Sequence, residues 1–131
     1  MADTVDSVVM FSGRRKYAAR FTNVSDGTGE SAVVKIDKST LVGPDGTEPS
    51  RLVIEELVWN IQGFTSVRLF WDHTTDDEID VLSGGGSRNY TEVGGLVDPA
   101  SAGGTGDIML TTAGAVSGAT YDISIVVRLK D

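Results

Sequence analysis

The residues best suited to chemistry lie in one acidic segment, Asp72 to Asp80, which carries five carboxylates and the sole histidine. Ca²⁺ and similar hard cations take several oxygen ligands from one loop, so a bound divalent ion is one interpretation of this segment. The EF-hand order, with its sixth-position glycine and distant bidentate glutamate, is absent. We therefore predict a solvated hairpin tip whose charge prevents edge-to-edge aggregation, with no metal and no cofactor, and keep the divalent ion as the alternative.

The same residue types offer little to an enzyme. Zinc catalysis generally uses more than one His or Cys ligand, whereas His73 is the only histidine and the chain has 0 cysteines. A Ser-His-Asp triad through His73 lacks a G-x-S-x-G elbow. Neither of the adjacent acid pairs, 55–56 and 76–77, suits the acid and base of glycoside hydrolysis, because neighbours on a strand face opposite sides. We predict that the protein is not an enzyme.

Three stretches have the glycine content of phosphate-binding loops: 27–29, 84–86 and 103–106. Such a loop needs a following Lys-Ser/Thr and a helix whose N-terminus faces the phosphate, and none of the three has that context. We predict turns or flexible surface loops, some of which become ordered against a partner. The second stretch is assigned to the partner-binding surface, with the contact residues Gly84, Gly85, Gly86 and Arg88.

One basic cluster, Arg14-Arg15-Lys16, interrupts an otherwise acidic chain with a net charge of −8 and a pI of about 4.5. The cluster is either an exposed turn or a contact with an acidic partner or with phosphate groups, and we include all three residues in the partner-binding surface. The overall charge repels nucleic-acid backbones and anionic headgroups, which predicts no direct nucleic-acid binding. No apolar run is long enough to span a bilayer and no signal peptide is apparent, so we expect no membrane association and a product of the cytosol.

The fold class follows from the spacing of the glycines. Short runs rich in β-branched and aromatic residues alternate with turn residues, which is typical of many short strands. The proline-containing segment 41–50 is expected to be an exposed loop, and 99–106 a flexible one. The predicted strands are 7–11, 17–22, 31–37, 51–62, 67–71, 78–82, 88–93, 107–112 and 120–130.

Residues 51–62 are the ambiguous segment, because Ile54, Leu57, Val58 and Ile61 would also make a helical stripe. We favour a strand, since Val, Ile and Trp prefer strands, and we place a β-bulge at the Glu55-Glu56 pair to reset the alternation. Two hairpins are expected, 67–71 with 78–82 and 107–112 with 120–130. The sequence therefore predicts one all-β domain over residues 1–131, a β-sandwich or jelly roll of about eight or nine strands, although a closed barrel would show the same pattern.

Three segments resemble small virion structural proteins of tailed bacteriophages. The similarity lies in the kind of residues and in the order of the segments, and it covers most of the chain. They are GTGES at 27–31, IQGFTSVRLFWD at 61–72 and TGDIMLTT at 105–112. The resemblance implies a sandwich or jelly roll that decorates or cements the capsid, or that sits in the tail or neck. It implies no catalytic residues.

Our leading hypothesis is a capsid decoration or cement protein that binds the outer capsid lattice. Its partners would be the major capsid protein or other virion proteins, it would form a homo-oligomer, and its location would be the virion. A tail, neck or baseplate component is the alternative of the same class. A carbohydrate-binding module is the alternative of another class, since it would need exposed aromatic rings. The candidate rings are Tyr17, Trp59, Trp71, Tyr90 and Tyr121.

Overall fold

The computed structural model describes residues 4–99 and 103–130 and confirms the all-β fold class with ten strands in two sheets. Two single 3₁₀ turns, η1 (Lys38–Thr40) and η2 (Thr91–Val93), are the only helical elements of the described residues. No helix in this part of the chain is long and apolar enough to cross a membrane. The strands are β1 (Thr4–Ser12), β2 (Lys16–Asp26), β3 (Val33–Ile36), β4 (Arg51–Gln62), β5 (Ser66–Trp71), β6 (Asp77–Leu82), β7 (Gly85–Asn89), β8 (Leu96–Val97), β9 (Ile108–Ala113) and β10 (Ser117–Lys130).

The two sheets differ in width. The larger has six strands in the order β1-β2-β10-β4-β7, with β8 also paired to β4, and the smaller has the order β3-β9-β5-β6. All the pairings are antiparallel. The edges of the larger sheet are therefore β1 on one side and β7 with β8 on the other. A two-sheet sandwich, and not a closed barrel, is the arrangement of the described strands.

The core lies between the sheets and follows the two-residue period of the strands. Alternate residues of β10 from Ala119 to Leu129 are buried, as are Ala19 and Phe21 on the neighbouring β2. Burial of these aliphatic and aromatic side chains is the main favourable term for folding.

Strand β4 shows how the bulge resets the alternation. Val126 of β10 pairs with Glu56 and Val127 with Ile54, so Glu55 is the extra residue that no β10 residue opposes. Leu52 and Ile54 face the core before the bulge, and Leu57 faces it afterwards. The strand and its bulge at the acidic pair are both confirmed, and the helix alternative is wrong.

Two predictions about the later strands need correction. The segments 107–112 and 120–130 do not form a hairpin, because β9 pairs with β3 and β5 while β10 pairs with β2 and β4 in the other sheet. Gly114 makes this crossing possible: its φ is +69°, and a Cβ there would lie 2.1 Å from Thr65 Oγ1. The predicted strand 88–93 is wrong beyond Asn89, where β7 ends. The Asn89 side-chain oxygen accepts from the Thr91 N–H, and the 3₁₀ turn η2 begins at Thr91.

Candidate functional site

His73 lies in a buried polar site between two loops and not at an exposed tip. The hairpin of β5 and β6 is confirmed, but the His73 ring inside its loop is 8% exposed. Nε2 is 2.6 Å from Asp98 Oδ1, and Nδ1 is 2.9 Å from the Gly103 carbonyl oxygen. The side chain thus connects the loop after β5 with Asp98, which follows β8, and with Gly103 of the glycine-rich stretch 103–106.

The surroundings of the His73 ring shift its pKa in both directions. Burial lowers the pKa, whereas the Gly103 carbonyl, the Asp98 carboxylate and the more distant Asp77 raise it. The raising effects are together the larger, so the pKa lies above the ordinary value of 6.5. Both ring nitrogens have acceptors as partners, and neither faces the serine hydroxyl that a Ser-His-Asp triad requires.

The carboxylates of the acidic loop are engaged separately and do not converge on one point. Asp72 accepts from Thr105 Oγ1, Asp76 accepts from the His73 N–H, and Glu78 accepts from Arg68. No group of three or more His, Cys, Asp or Glu residues that could hold a metal ion occurs among residues 4–99 and 103–130. The described residues therefore give no support to the divalent-ion alternative.

The glycine-rich loop is packed directly against this site. Gly103, Gly104 and Gly106 all have positive φ, and a Cβ at Gly104 would lie 2.2 Å from the Asp72 carbonyl oxygen. The Gly106 N–H also donates to that carbonyl. We predicted a flexible loop, but its residues 103–106 pack against another backbone. Residues 100–102, which belong to the same prediction, lie outside the described residues.

Substituting Gly104→Ala is expected to lower the free energy of unfolding by about 3 kcal/mol, because the new Cβ overlaps backbone atoms at a positive φ. The matched control is Gly84→Ala, where φ is +61° and no atom lies within 4 Å of the new Cβ. Only the conformational cost of about 1 kcal/mol remains there. Urea unfolding of both variants measures the difference, and equal losses would contradict the packing described for the loop.

A second buried polar cluster, Glu30 with Asn23, Lys35 and Tyr121, lies beneath β1 and β3. Glu30 Oε2 is 2.7 Å from Lys35 Nζ, and the two side chains are 7% and 5% exposed. Glu30 Oε1 accepts from Asn23 Nδ2 at 2.8 Å and from the Tyr121 hydroxyl. The Lys35 ammonium also lies 5.8 Å from the centre of the Tyr121 ring. These contacts compensate both charges for the loss of water.

The edge strand β1 is exposed along all nine residues, including the side that continues the core face of β2. Val5, Val8, Val9, Met10 and Phe11 are between 44% and 58% exposed. Natural sheets usually protect such an edge with Lys, Pro, other charges, bulges or short length. Strand β1 has neither Lys nor Pro, although it carries Asp6 and an irregularity between Val9 and Phe11.

The basic cluster lies at the turn between β1 and β2, and the turn is confirmed by a hydrogen bond from Gly13 N–H to the Lys16 carbonyl. Arg14, Arg15 and Lys16 are all exposed. Lys16 Nζ is 3.0 Å from Glu55 Oε1, so its charge is partly used within the chain. The two arginines form the outermost part of this tip and continue the surface of β1.

The second predicted contact group lies on the opposite edge of the same sheet. Gly85 and Gly86 belong to β7 and not to a loop, which corrects the earlier expectation, while Gly84 precedes the strand. The reason is that both glycines pair with β4, and at Gly86 a Cβ would lie 3.0 Å from the Trp59 ring. Arg88 lies over that ring and is 2.9 Å from Asp80. The structure does not bring the two predicted groups together.

The candidate sugar-binding rings do not form an exposed platform. Trp71 and Tyr121 are 2% exposed, and Trp59 donates its N–H to the Ser83 carbonyl. Tyr90 donates its hydroxyl to Asp80, and burial together with that carboxylate raises the pKa of Tyr90 to about 12. Tyr17 is half-buried against the core. The rings serve packing and local hydrogen bonds.

These features define a two-sheet β-sandwich with buried ion pairs and one exposed apolar edge. No protein-family model matches the sequence, and the comparison with curated proteins gives no match. Among solved structures, a cupin domain from Bordetella pertussis Tohama I is similar over 100% of this chain and 98% of that chain. The TM-score is 0.42 and the sequence identity 8%, so we draw no functional conclusion from it.

Sequence reasoning missed the two buried ion pairs and the exposure of β1. Glu30 and Lys35 are separated by five positions across a turn, and His73 and Asp98 by 25, so no spacing rule joins them. The exposure of β1 did have a signal. Val8, Val9, Met10 and Phe11 form an unbroken apolar run, which could not be assigned to one face by alternation.

Proposed function

We propose that this chain is a non-enzymatic structural protein of a tailed-phage virion, and specifically a decoration or cement protein on the outside of the capsid. The observation that carries the proposal is the exposed apolar edge β1 with its basic tip, which is a surface for binding another protein. The placement in a phage virion rests on the sequence resemblance of residues 27–31, 61–72 and 105–112 to phage virion proteins. The buried polar clusters are consistent with this role, because their ion pairs and hydrogen bonds hold loops together.

The predicted partners are the major capsid protein or other virion proteins. The two contact groups, Arg14 to Lys16 and Gly84 to Arg88, lie at opposite edges of the larger sheet. A lattice protein with contacts at two edges can bridge neighbouring capsid subunits, as a decorating protein must. We therefore retain both groups in the proposal, as separate contacts.

Charge reversal at the tip tests this proposal with capsid shells of the encoding phage prepared without this protein. Arg14→Glu and Arg15→Glu, made separately, are expected to weaken co-sedimentation with the shells at least about tenfold. Lys16 stays unchanged because its ammonium contacts Glu55. The control is Arg68→Glu on the smaller sheet, which makes the same charge change but also breaks the contact of Arg68 with Glu78, so circular dichroism checks that it is folded. It should bind as the wild type does.

Each outcome of this experiment has a definite meaning. Unchanged binding of both tip variants would contradict the assignment of Arg14 and Arg15 to the interface. A wild-type protein that does not bind the shells would contradict the decoration role itself. Binding to purified tails or necks instead would move the protein to that part of the virion.

A further inference from the structure

A shallow groove continues the apolar surface of β1 towards the smaller sheet. It has a volume of about 280 Å³ and is lined by Val5, Asp6, Ser7 and Phe21 on one side and by Val33, Val34 and Lys35 of β3 on the other, so two of its lining side chains are charged. Val33 and Val34 are themselves 37% and 43% exposed. Both β1 and β3 therefore keep apolar side chains exposed beside the groove.

We propose that β1 pairs with β1 of a second copy of this chain, antiparallel and about a two-fold axis at Ser7. The pairing would join the two larger sheets into one continuous sheet across the dimer. The pairing uses the same edge that supports the proposed function, so in the dimer the contacts with the capsid fall to the basic tip and to the opposite edge at β7.

The register follows from the chemistry of β1. A two-fold axis places one residue opposite its own copy, and the regular ladder with β2 runs from Thr4 to Val9 before the shift between Val9 and Phe11. The residues near the middle of that stretch are Asp6 and Ser7. An axis at Asp6 would place two carboxylates face to face, which is destabilising. An axis at Ser7 places Val5 opposite Val9 of the second copy, twice, on the face that lines the groove.

One backbone N–H of β1 is hydrogen-bonded to a neighbouring side chain in place of an adjacent strand. The Ser7 N–H donates to the carboxylate of Asp6 at 2.8 Å. A carbonyl of the second strand would replace that side chain, as in any edge that gains a neighbour. The Asp6 carboxylate is then released to solvent on the outer face.

The exposed area fits a weak dimer. The exposed surface of Val5, Val8 to Phe11, Val33 and Val34, with both faces of β1 counted, is on the order of 600 Å², less than the about 800 Å² per partner of a standard interface. Antiparallel pairing places the two basic tips, Arg14 and Arg15 of each copy, at opposite ends of the paired strands. Parallel pairing would place two basic tips together.

The cysteine-free sequence permits a direct test of the pairing by disulfide formation. In the proposed dimer the two Ser7 Cα atoms would be about 5.5 Å apart, within the range that a disulfide bridges. On mild oxidation, Ser7→Cys is therefore expected to give a covalent dimer at least about tenfold faster than Ser87→Cys. Ser87 is an equally exposed serine in the opposite edge strand β7 and serves as the matched control.

A second variant checks the interface without new covalent bonds. Sedimentation of the wild type over about a hundredfold range of concentration should show a monomer–dimer equilibrium. Val9→Lys should weaken dimerisation at least about tenfold, because a charge on an edge strand opposes pairing. Val93→Lys, at a 78% exposed valine in η2, should leave it unchanged. Circular dichroism confirms that each variant is folded.

The proposal is overturned by a wild type that stays monomeric throughout the range, or by equal oxidation rates for the two cysteine variants. A covalent dimer from Ser87→Cys alone would assign self-association to β7 and would also overturn it. If the dimer forms but capsid shells are not bound, the pairing is correct and the virion proposal is wrong.

Discussion

Replacing Lys35 by methionine is expected to lower the free energy of unfolding by about 3–5 kcal/mol. The substitution keeps an apolar stem of similar length but removes the ammonium that lies 2.7 Å from Glu30 Oε2. Asn23 and Tyr121 would then be the remaining donors to a buried carboxylate. A buried charge without its counter-charge is much more costly than the loss of an exposed ion pair.

A double variant separates the ion pair from simple packing. Glu30→Met together with Lys35→Met removes both charges, so its unfolding free energy should be higher than that of Lys35→Met alone. The exposed control is Arg20→Met, which breaks the Arg20–Asp122 pair on the outer face of β2 and β10 and should have a much smaller effect. Urea unfolding of the four proteins completes the comparison. A Lys35→Met protein as stable as the wild type would contradict the buried pair.

Replacing Asp98 by asparagine is expected to lower the free energy of unfolding by about 3 kcal/mol below pH 6.5, where His73 is charged in the folded protein. The His73 imidazolium would keep a hydrogen-bond acceptor in this variant but lose its charged partner. Because His73 is the only histidine, a single imidazole signal in NMR spectra reports its pKa. We expect a value above 6.5 in the wild type, a clear decrease in Asp98→Asn and a smaller decrease in Asp77→Asn, whose carboxylate lies 3.9 Å from Nε2.

The sign of the pH dependence follows from the raised pKa of His73. A histidine whose folded-state pKa exceeds its unfolded value of about 6.5 stabilises the fold fully below that pH. The contribution is lost as the pH rises through the folded-state pKa. The stability difference between wild type and Asp98→Asn should therefore shrink above that pH. A His73 pKa at or below 6.5, or a difference that grows with pH, would contradict the assigned ion pair.

The strands could be predicted from the sequence because local chemistry determines them. Alternation identifies β2, β5 and β10, and the acidic pair at 55–56 indicates the bulge in β4. The sheet to which each strand belongs could not be predicted in the same way. The sequence places 107–112 and 120–130 next to each other, but β9 and β10 lie in different sheets, and the link between them packs Gly114 closely against Thr65. Sequence reasoning has no access to that tertiary contact.

The candidate sites divide in the same way. The exposed positions of Arg14, Arg15 and Arg88 follow from their charge and from nearby turn residues. The burial of His73 does not, because it depends on Asp98 and Gly103, which lie 25 and 30 residues away. The exposed face of β1 depends on the smaller sheet ending before it, which is a property of the assembled sandwich.

Quantitative mass spectrometry of purified virions from the phage that encodes this chain tests the central claim most directly. The proposed decoration role predicts a copy number comparable to that of the major capsid protein. A copy number near that of the portal would contradict decoration and assign the protein to the neck or tail. Absence from the virion would contradict the structural role altogether.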